Sequence, residues 1–405
     1  MAQEPKPFDW QQPGILTGNF SSGDQKSAND RAGDPPGAPG GGSAAPIPTP
    51  AVPPHPSTAP AQPSPEAGEF SPQLGVSLAQ ALESESYHPV ILFGTSFSGK
   101  TSLLLSLFSS LKVNPSLDAG VTLCEPILGP NHPEGLVLHK EARRLFDNGT
   151  QAFIRGQPTQ KTAFNHPFFV PVQLRAGDKP RRNFAFLESK GEWYQPRPLD
   201  APEDLYPELK QSIESFITSF SGAITFIYLL PYTQRHLDAP GSEDMAEISS
   251  AQQAVVGVLD AYDRIRLAGR GADKHLMLVT KWDAHSRKSV DQAQDIVEDR
   301  GELGAFVNGR YPEAIKRLQD LAVRPDQRHL NAYSAGIIGQ SGRLTAPDPE
   351  TQQALQGYPV RLWNLLYNNA LAAAGEHPEP LFAPPPQPPA AVRMFHRVLD
   401  FVSGR

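Results

Sequence analysis

Cysteine is almost missing: Cys124 stands alone in 405 residues, which excludes an intrachain disulfide framework and any cysteine-rich zinc site. No charged-then-apolar leader follows Met1, and together the two absences make a reducing cytoplasm the expected compartment. Long apolar runs are missing as well. The longest, "AITFIYLLP" from Ala223 to Pro231, has the length of a strand, so no membrane-spanning helix is expected. The net charge is -7 and there is no extended basic cluster, which argues against nucleic acid as the main partner. The histidines show no metal-ligand spacing such as H-E-x-x-H, and no Ser/His/Asp set stands out. Cys124 itself reads as a small core residue rather than a nucleophile.

Proline and glycine are plentiful, 43 and 33 residues, and the prolines crowd at the two ends. Residues 1–71 read as a disordered Pro/Gly/Ala/Ser-rich tail with too little apolar surface to offset ordering entropy. Within it "PIPTPAVPPHP" reads as an extended spacer. The stretch "FDWQQPGILTGNF", Phe8 to Phe20, carries the bulky residues the tail otherwise lacks and reads as a docking peptide. Residues 72–374 alternate strand and helix patterns. The expected strands are "PVILFG", "FFVPVQLR", "NFAFLE", "AITFIYLLP", "HLMLVTKW" and "RHLNAYSA". Expected helices start near Leu74 and cover Thr101–Leu111, Gly135–Phe153, Pro202–Ser219, Ile248–Leu267, Val290–Ala322 with a break near Gly309, and Tyr358–Ala374. Such alternation predicts an α/β fold: a mostly parallel sheet with helices on both faces. Residues 375–390 read as a Pro-rich linker. In 391–405, Val392, Phe395, Leu399 and Val402 share one face of an amphipathic helix that packs back on the domain or else meets a partner groove or, third, an anionic membrane surface.

The segment "GTSFSGKT", Gly94 to Thr101, fits G-x-x-x-x-G-K-[ST] between an expected strand and an expected helix. Gly94 and Gly99 let the backbone amides of Thr95, Ser96, Phe97 and Ser98 curl round a phosphate. The helix N-terminus adds partial positive charge, Lys100 reaches the terminal phosphates, and Thr101 offers a hydroxyl to Mg2+, with Ser102 completing the set. Base choice falls to "LVTKWD", where Thr280, Lys281 and Asp283 form [NT]-K-x-D at a strand end. The Asp283 carboxylate can accept from both N1 and N2 of guanine, a donor pair adenine lacks. The stem of Lys281 can lie over the purine. In "NAYSAG", Ser334 and Ala335 follow another strand and can present a backbone N–H to guanine O6.

With "NFAFLESKGEW" between them, these elements resemble, in order, the nucleotide-binding boxes of the translation-factor-related (TRAFAC) class of P-loop GTPases. The resemblance covers about Pro89 to Ala374. The long insertion from Leu117 to Gly156 resembles that of the bacterial double-GTPase and conflict-system GTPases. The likeness implies that Glu188 takes the place of the aspartate that holds Mg2+ through water, and that Gly191 gives its amide to the γ-phosphate. It puts Glu192 where many members carry a water-orienting glutamine. It also implies a threonine that closes on Mg2+ and γ-phosphate, either Thr159 or Thr162 in "PTQKTAF", with Thr159 favoured by Pro158. The bulk of Ser96 and Phe97, where Ras-like members have small glycines, argues against an external arginine finger. No asparagine sits where potassium-dependent members have one. The implied activity is a Mg2+-dependent GTP-hydrolysing switch whose GTP and GDP states are read by a protein partner. The alternatives are a GTP-binding scaffold with little turnover, or an ATP-dependent P-loop enzyme, against which Asp283 counts.

Overall fold

The structure, a computed structural model, describes residues 72–96, 98–114, 117–157, 166–190, 211–232, 243–282, 300–322, 324–338, 344–345 and 357–382. The tail 1–71, residues 383–390 of the expected linker and the expected helix 391–405 lie outside the described residues.

Seven consecutive buried residues make β1 (Tyr87–Phe93), and the same pattern makes β5 (Thr225–Pro231). An apolar run of this kind belongs in the middle of a sheet covered on both faces. Both strands lie there. The seven-stranded sheet has the order β2 (Ala119–Leu123), β3 (Phe168–Ala176), β4 (Arg182–Glu188), β1, β5, β6 (Lys274–Thr280), β7 (Arg328–Ala332). From β4 to β7 neighbours run parallel, whereas β3 pairs antiparallel with β4, and β2 antiparallel with β3. A two-stranded ribbon, β8 (Ile337–Ile338) and β9 (Leu344–Thr345), lies apart.

The helices are α1 (Pro72–Ser84), α2 (Lys100–Val113), α3 (Pro133–Arg143), α4 (Thr150–Ile154), α5 (Gln211–Ser219), α6 (Glu243–Ile265), α7 (Arg300–Arg310), α8 (Pro312–Leu321) and α9 (Gly357–Ala373). Strand alternation assigns them to faces. Phe184 and Phe186 of β4 meet Trp363 of α9, and Phe186 also meets Phe108 of α2. On the opposite face Phe169, paired with Leu187, meets Phe216 of α5, and Phe226 meets Tyr262 of α6. α1 lies directly against α5: a Cβ on Gly75 would stand 2.2 Å from the Ser212 carbonyl oxygen, so no larger residue fits that crossing.

The insertion departs from the sequence expectation. Its first part, "AGVTL", is the edge strand β2, so "FFVPVQLR" is the third strand of the chain rather than the second. Only Val121 of β2 is buried, too weak a pattern to read as a strand. The expected helix Gly135–Phe153 is continuous in space, but Arg144–Gly149 is wound as π-helix between α3 and α4. It runs antiparallel to α2. Phe146 stacks near Phe108 and under Lys112, while Gly149 lies against Leu105, one turn nearer the start of α2. Beyond α9 the chain does not leave the domain at once. Glu379 pairs with Lys179 (2.7 Å), Glu376 with Arg182, and Asn364 accepts from the amides of Leu381 and Phe382.

At the amino ends of β5 and β6, a fully buried pair ties four elements together. Arg266 donates to both oxygens of Asp273 and to the carbonyls of Ile217, Phe220 and Gly222, while Asp273 also accepts from Ile224 N and Tyr262 Oη.

Three buried histidines make the fold acid-sensitive. Burial lowers His88 and His329 from 6.5 to about 4 and His275 to about 3. Each is therefore neutral when folded and gains a proton on unfolding. Their stabilisation is complete above pH 6.5 and is lost as pH falls through about 4 to 3. Neither ring nitrogen of His329 has a hydrogen-bond partner among the described residues. His329→Leu is expected to reduce the fall in urea midpoint between pH 7 and roughly pH 4. An equal fall in wild type and variant would show that His329 does not titrate as a buried neutral ring.

Candidate nucleotide-binding site

Parallel strands end on one edge, and β1, β4, β5, β6 and β7 bring their carboxyl ends together there. In open α/β sheets ligands bind at that edge. The chain leaves β1 at Phe93, turns through Gly94 to Gly99 and enters α2 at Lys100. Gly99 has φ +93°, a left-handed conformation that side chains disfavour. Lys100 is buried, and its ammonium donates to the carbonyls of Gly94 (2.5 Å) and Thr95 (3.1 Å). It thus folds back over the loop, as a cation aimed at a bound phosphate must.

Next along α2, Thr101 Oγ1 donates to Glu188 Oε1 at 2.6 Å. Glu188 is the last residue of β4 and is fully buried. The hydroxyl and the carboxylate expected to serve Mg2+ therefore share one position, though they are 87 residues apart in sequence. Both are hard oxygen donors, which suits that ion. Among the described residues no group of three or more His, Cys, Asp or Glu side chains could hold a metal. The hydroxyls of Thr95, Ser96 and Ser98 are shielded from solvent and have no hydrogen-bond partner among the described residues. Buried polar groups ordinarily find one, and phosphate oxygens would supply it.

The loops expected to meet the base are fastened to this one. Thr280 Oγ1 donates to Ser98 O at 2.7 Å across 182 residues. Tyr232 N donates to Thr280 O (2.8 Å), Trp282 N to Tyr333 O (3.3 Å) and Tyr333 N to Val279 O (2.7 Å). Lys281 holds φ 58°, an unusual left-handed position for a non-glycine residue, between the buried Thr280 and Trp282. Ser334 is buried and donates to Gly336 O, and Ala335 packs on the core beside it.

The structure thus brings together Gly94, Thr95, Ser96, Ser98, Gly99, Lys100, Thr101, Glu188, Thr280, Lys281, Ser334 and Ala335, with Ser102 following on α2. Phe97, Thr159, Thr162, Gly191, Glu192 and Asp283 lie outside the described residues. The flanks of these stretches are nevertheless in place: Phe168 of β3 pairs with Glu188, and Trp282 immediately precedes Asp283. Sequence reading missed the Thr280–Ser98 bond. The signal was the threonine that opens "TKWD", whose side chain was given no separate task.

The loop, the parallel strands and the polar groups at their carboxyl ends define a P-loop α/β domain. No family model and no curated protein matches the chain. Among solved structures it is similar to the signal recognition particle receptor SRb-GTP/SRX complex from Chaetomium thermophilum, at 15% identity and TM-score 0.31, over 67% of this chain and 97% of that one. It is similar to the S. cerevisiae Ski7 GTPase-like domain bound to GDP and inorganic phosphate, at 11% identity and TM-score 0.30, over 69% of this chain and 52% of that one. A third is a dimerization-deficient mutant of Toc33 from Arabidopsis thaliana, at 10% identity and TM-score 0.28, over 71% and 91%. Likeness at this level is loose, and the class rests on the chain's own loop and sheet. Among the described residues no helix is long and apolar enough to cross a membrane.

Thr280→Val keeps the shape and removes the donor to Ser98 O, leaving a buried carbonyl unsatisfied. Stability is expected to fall by roughly 1–3 kcal/mol, measured by urea unfolding. No change would show that the two loops are not joined through this bond.

Proposed function

We propose that the chain binds GTP with Mg2+ and hydrolyses it, and that a protein partner reads the nucleotide state. The observation that carries this reading is the contact between Thr101 and Glu188 beside Lys100, on a loop bolted to the "TKW" turn. It supports a reading in which phosphate, metal and base are met on one sheet edge. The ion that Thr101 and Glu188 would hold would supply positive charge against the charge that develops on the phosphates.

The chain's own residues do the rest. Lys100 exchanges its two loop carbonyls for phosphate oxygens, and the freed hydroxyls of Thr95 and Ser98 are placed to donate beside it. Thr101 and Glu188 hold the metal position, with Thr159 or Thr162 as the third expected contributor. Asp283 selects guanine, Lys281 covers the ring, and Ser334 and Ala335 offer the amide to O6. Gly191 and Glu192 follow Glu188 closely, where a γ-phosphate and an attacking water would be met. The extra methylene of Glu188 relative to aspartate, with the negative charge of Glu192, favours slow turnover. That is the one ground for the rival reading, a GTP-holding scaffold.

Lys100→Ala is expected to abolish nucleotide binding by calorimetry, because the triphosphate loses its principal countercharge. Asp283→Asn should weaken GTP and gain xanthosine triphosphate, whose ring oxygen replaces the guanine amine. A variant that keeps its GTP preference would move base recognition elsewhere. Glu192→Ala separates enzyme from scaffold: with affinity within a few fold, a rate lowered roughly 10- to 1,000-fold marks Glu192 as a water-positioning group. A faster variant marks it as a brake.

A further inference from the structure

The third residue of "TKWD" is the one its motif leaves open, and here it is a tryptophan with no exposed surface. β6 ends at Thr280, and Lys281 then takes φ 58°, so the chain turns out of the strand just before Trp282. A left-handed backbone at a residue with a side chain costs energy and lasts only where its surroundings hold it. Trp282 supplies the hold. Its amide donates to Tyr333 O (3.3 Å), and its indole lies among rings drawn from separate elements. Tyr232, directly after β5, stands 5.5 Å from it with the planes at 76°, and Phe306 of α7 stands 5.9 Å away at 73°. Tyr232 and Phe306 are themselves 4.9 Å apart. Tyr311, the N-cap of α8, meets Phe306 at 6.0 Å, and its hydroxyl donates to the carbonyl of Pro231, the last residue of β5, at 2.7 Å. Edge-to-face ring pairs favour a definite mutual orientation, so the cage fixes direction as well as depth.

We propose that Phe306 is a positioning residue for base recognition: through the Trp282 indole it fixes the turn from which Lys281 and Asp283 leave. The inference rests on the GTP reading and adds to it an element, α7, that no nucleotide motif contains. Lys281 and Asp283 flank Trp282 directly, so any rotation of the Trp282 backbone is passed to both. The phosphate loop is anchored separately, by Lys100 on its own carbonyls and by the Thr280 hydroxyl on Ser98 O. Loosening the ring cage therefore acts on the base and spares the phosphates. Phe306 is the ring to change, because it is half-buried at the rim of the cage, whereas Trp282 and Tyr311 are wholly enclosed. If the rings served packing alone, removing one would lower stability and leave base preference as it was.

The test compares GTP with inosine triphosphate, which lacks only the 2-amino group, by calorimetry with Mg2+ on the full chain. Wild type is expected to prefer GTP by roughly 10- to 100-fold, the worth of one hydrogen bond to a charged acceptor. Phe306→Ala is expected to bring that preference below about 3-fold, by weakening GTP rather than by tightening the inosine nucleotide. Phe306→Leu, which keeps apolar volume without a ring, is expected to fall between the two, and Phe306→Tyr to retain the preference. In nucleotide-free protein the alanine variant is also expected to exchange the Trp282 amide several-fold faster, since protection follows local structure. A wild-type preference in the alanine variant or, should that chain not fold, in the leucine variant, would overturn the positioning role, and so would unchanged exchange. A wild type that binds neither nucleotide, or does not tell them apart, would instead overturn the GTP reading and the inference with it.

Discussion

A sheet covered on both faces has no place for chemistry except at its ends, and this constraint organises the molecule. β1 and β5 are buried along their whole length. The polar groups within that layer are consumed by one another: Thr225 Oγ1 meets His88 Nε2 at 2.8 Å and accepts from Asn369, and the Tyr228 hydroxyl meets His275 Nδ1 at 3.0 Å. Lone polar atoms there would each cost a lost hydrogen bond. Charge therefore gathers at the two edges. At the amino edge Arg266 and Asp273 form a closed set, and at the carboxyl edge Lys100 opens α2 beside Glu188 at the end of β4.

The carboxyl edge works as a unit because its loops are joined by main-chain and hydroxyl bonds rather than by long flexible side chains. Ser98, Thr280, Tyr232, Trp282 and Tyr333 form one continuous set of contacts from the phosphate loop to the base loops. Tyr333 extends it inward through a 2.6 Å bond to Ser106 of α2. Short connections of this kind hold relative positions at little entropic cost, so the spacing between the Gly94–Thr101 loop and the "TKW" turn is set before any ligand arrives. The insertion adds a second guide, because its helix follows α2 back toward the loop end before the chain enters β3.

Much of this was legible in the sequence, for a physical reason. Strands buried on both faces are continuous apolar runs, and the Gly94–Thr101 motif needs its residue types at fixed spacing, so β1, β3 to β6 and the loop can be read directly. The two edge strands each bury one residue and show no period; β7 was expected from "RHLNAYSA", while β2 lay unread within the insertion. The π-helical turn at Arg144–Gly149 was equally hidden, because its six residues do not differ in composition from an α-helix. Arg266 and Asp273 looked like surface charges in "RLAGRGAD", and only the fold shows them fully enclosed. Residues 376–382 read as linker because proline and glutamate dominate them, yet the side chains of Lys179, Arg182, Asn364 and Asn368 fix them in place. The switch threonine could not be chosen between Thr159 and Thr162, since both sit in a polar stretch without periodicity.

The Arg266 guanidinium has a consequence for inheritance. It holds the carbonyls of Ile217, Phe220 and Gly222 at and just beyond the end of α5, and its one charge partner is Asp273, equally enclosed. Removing either member strands the other charge inside the domain. In a survey of natural or laboratory variants, changes at these two positions would therefore be tolerated together or not at all. A geneticist would see them as one site, although no ligand meets either.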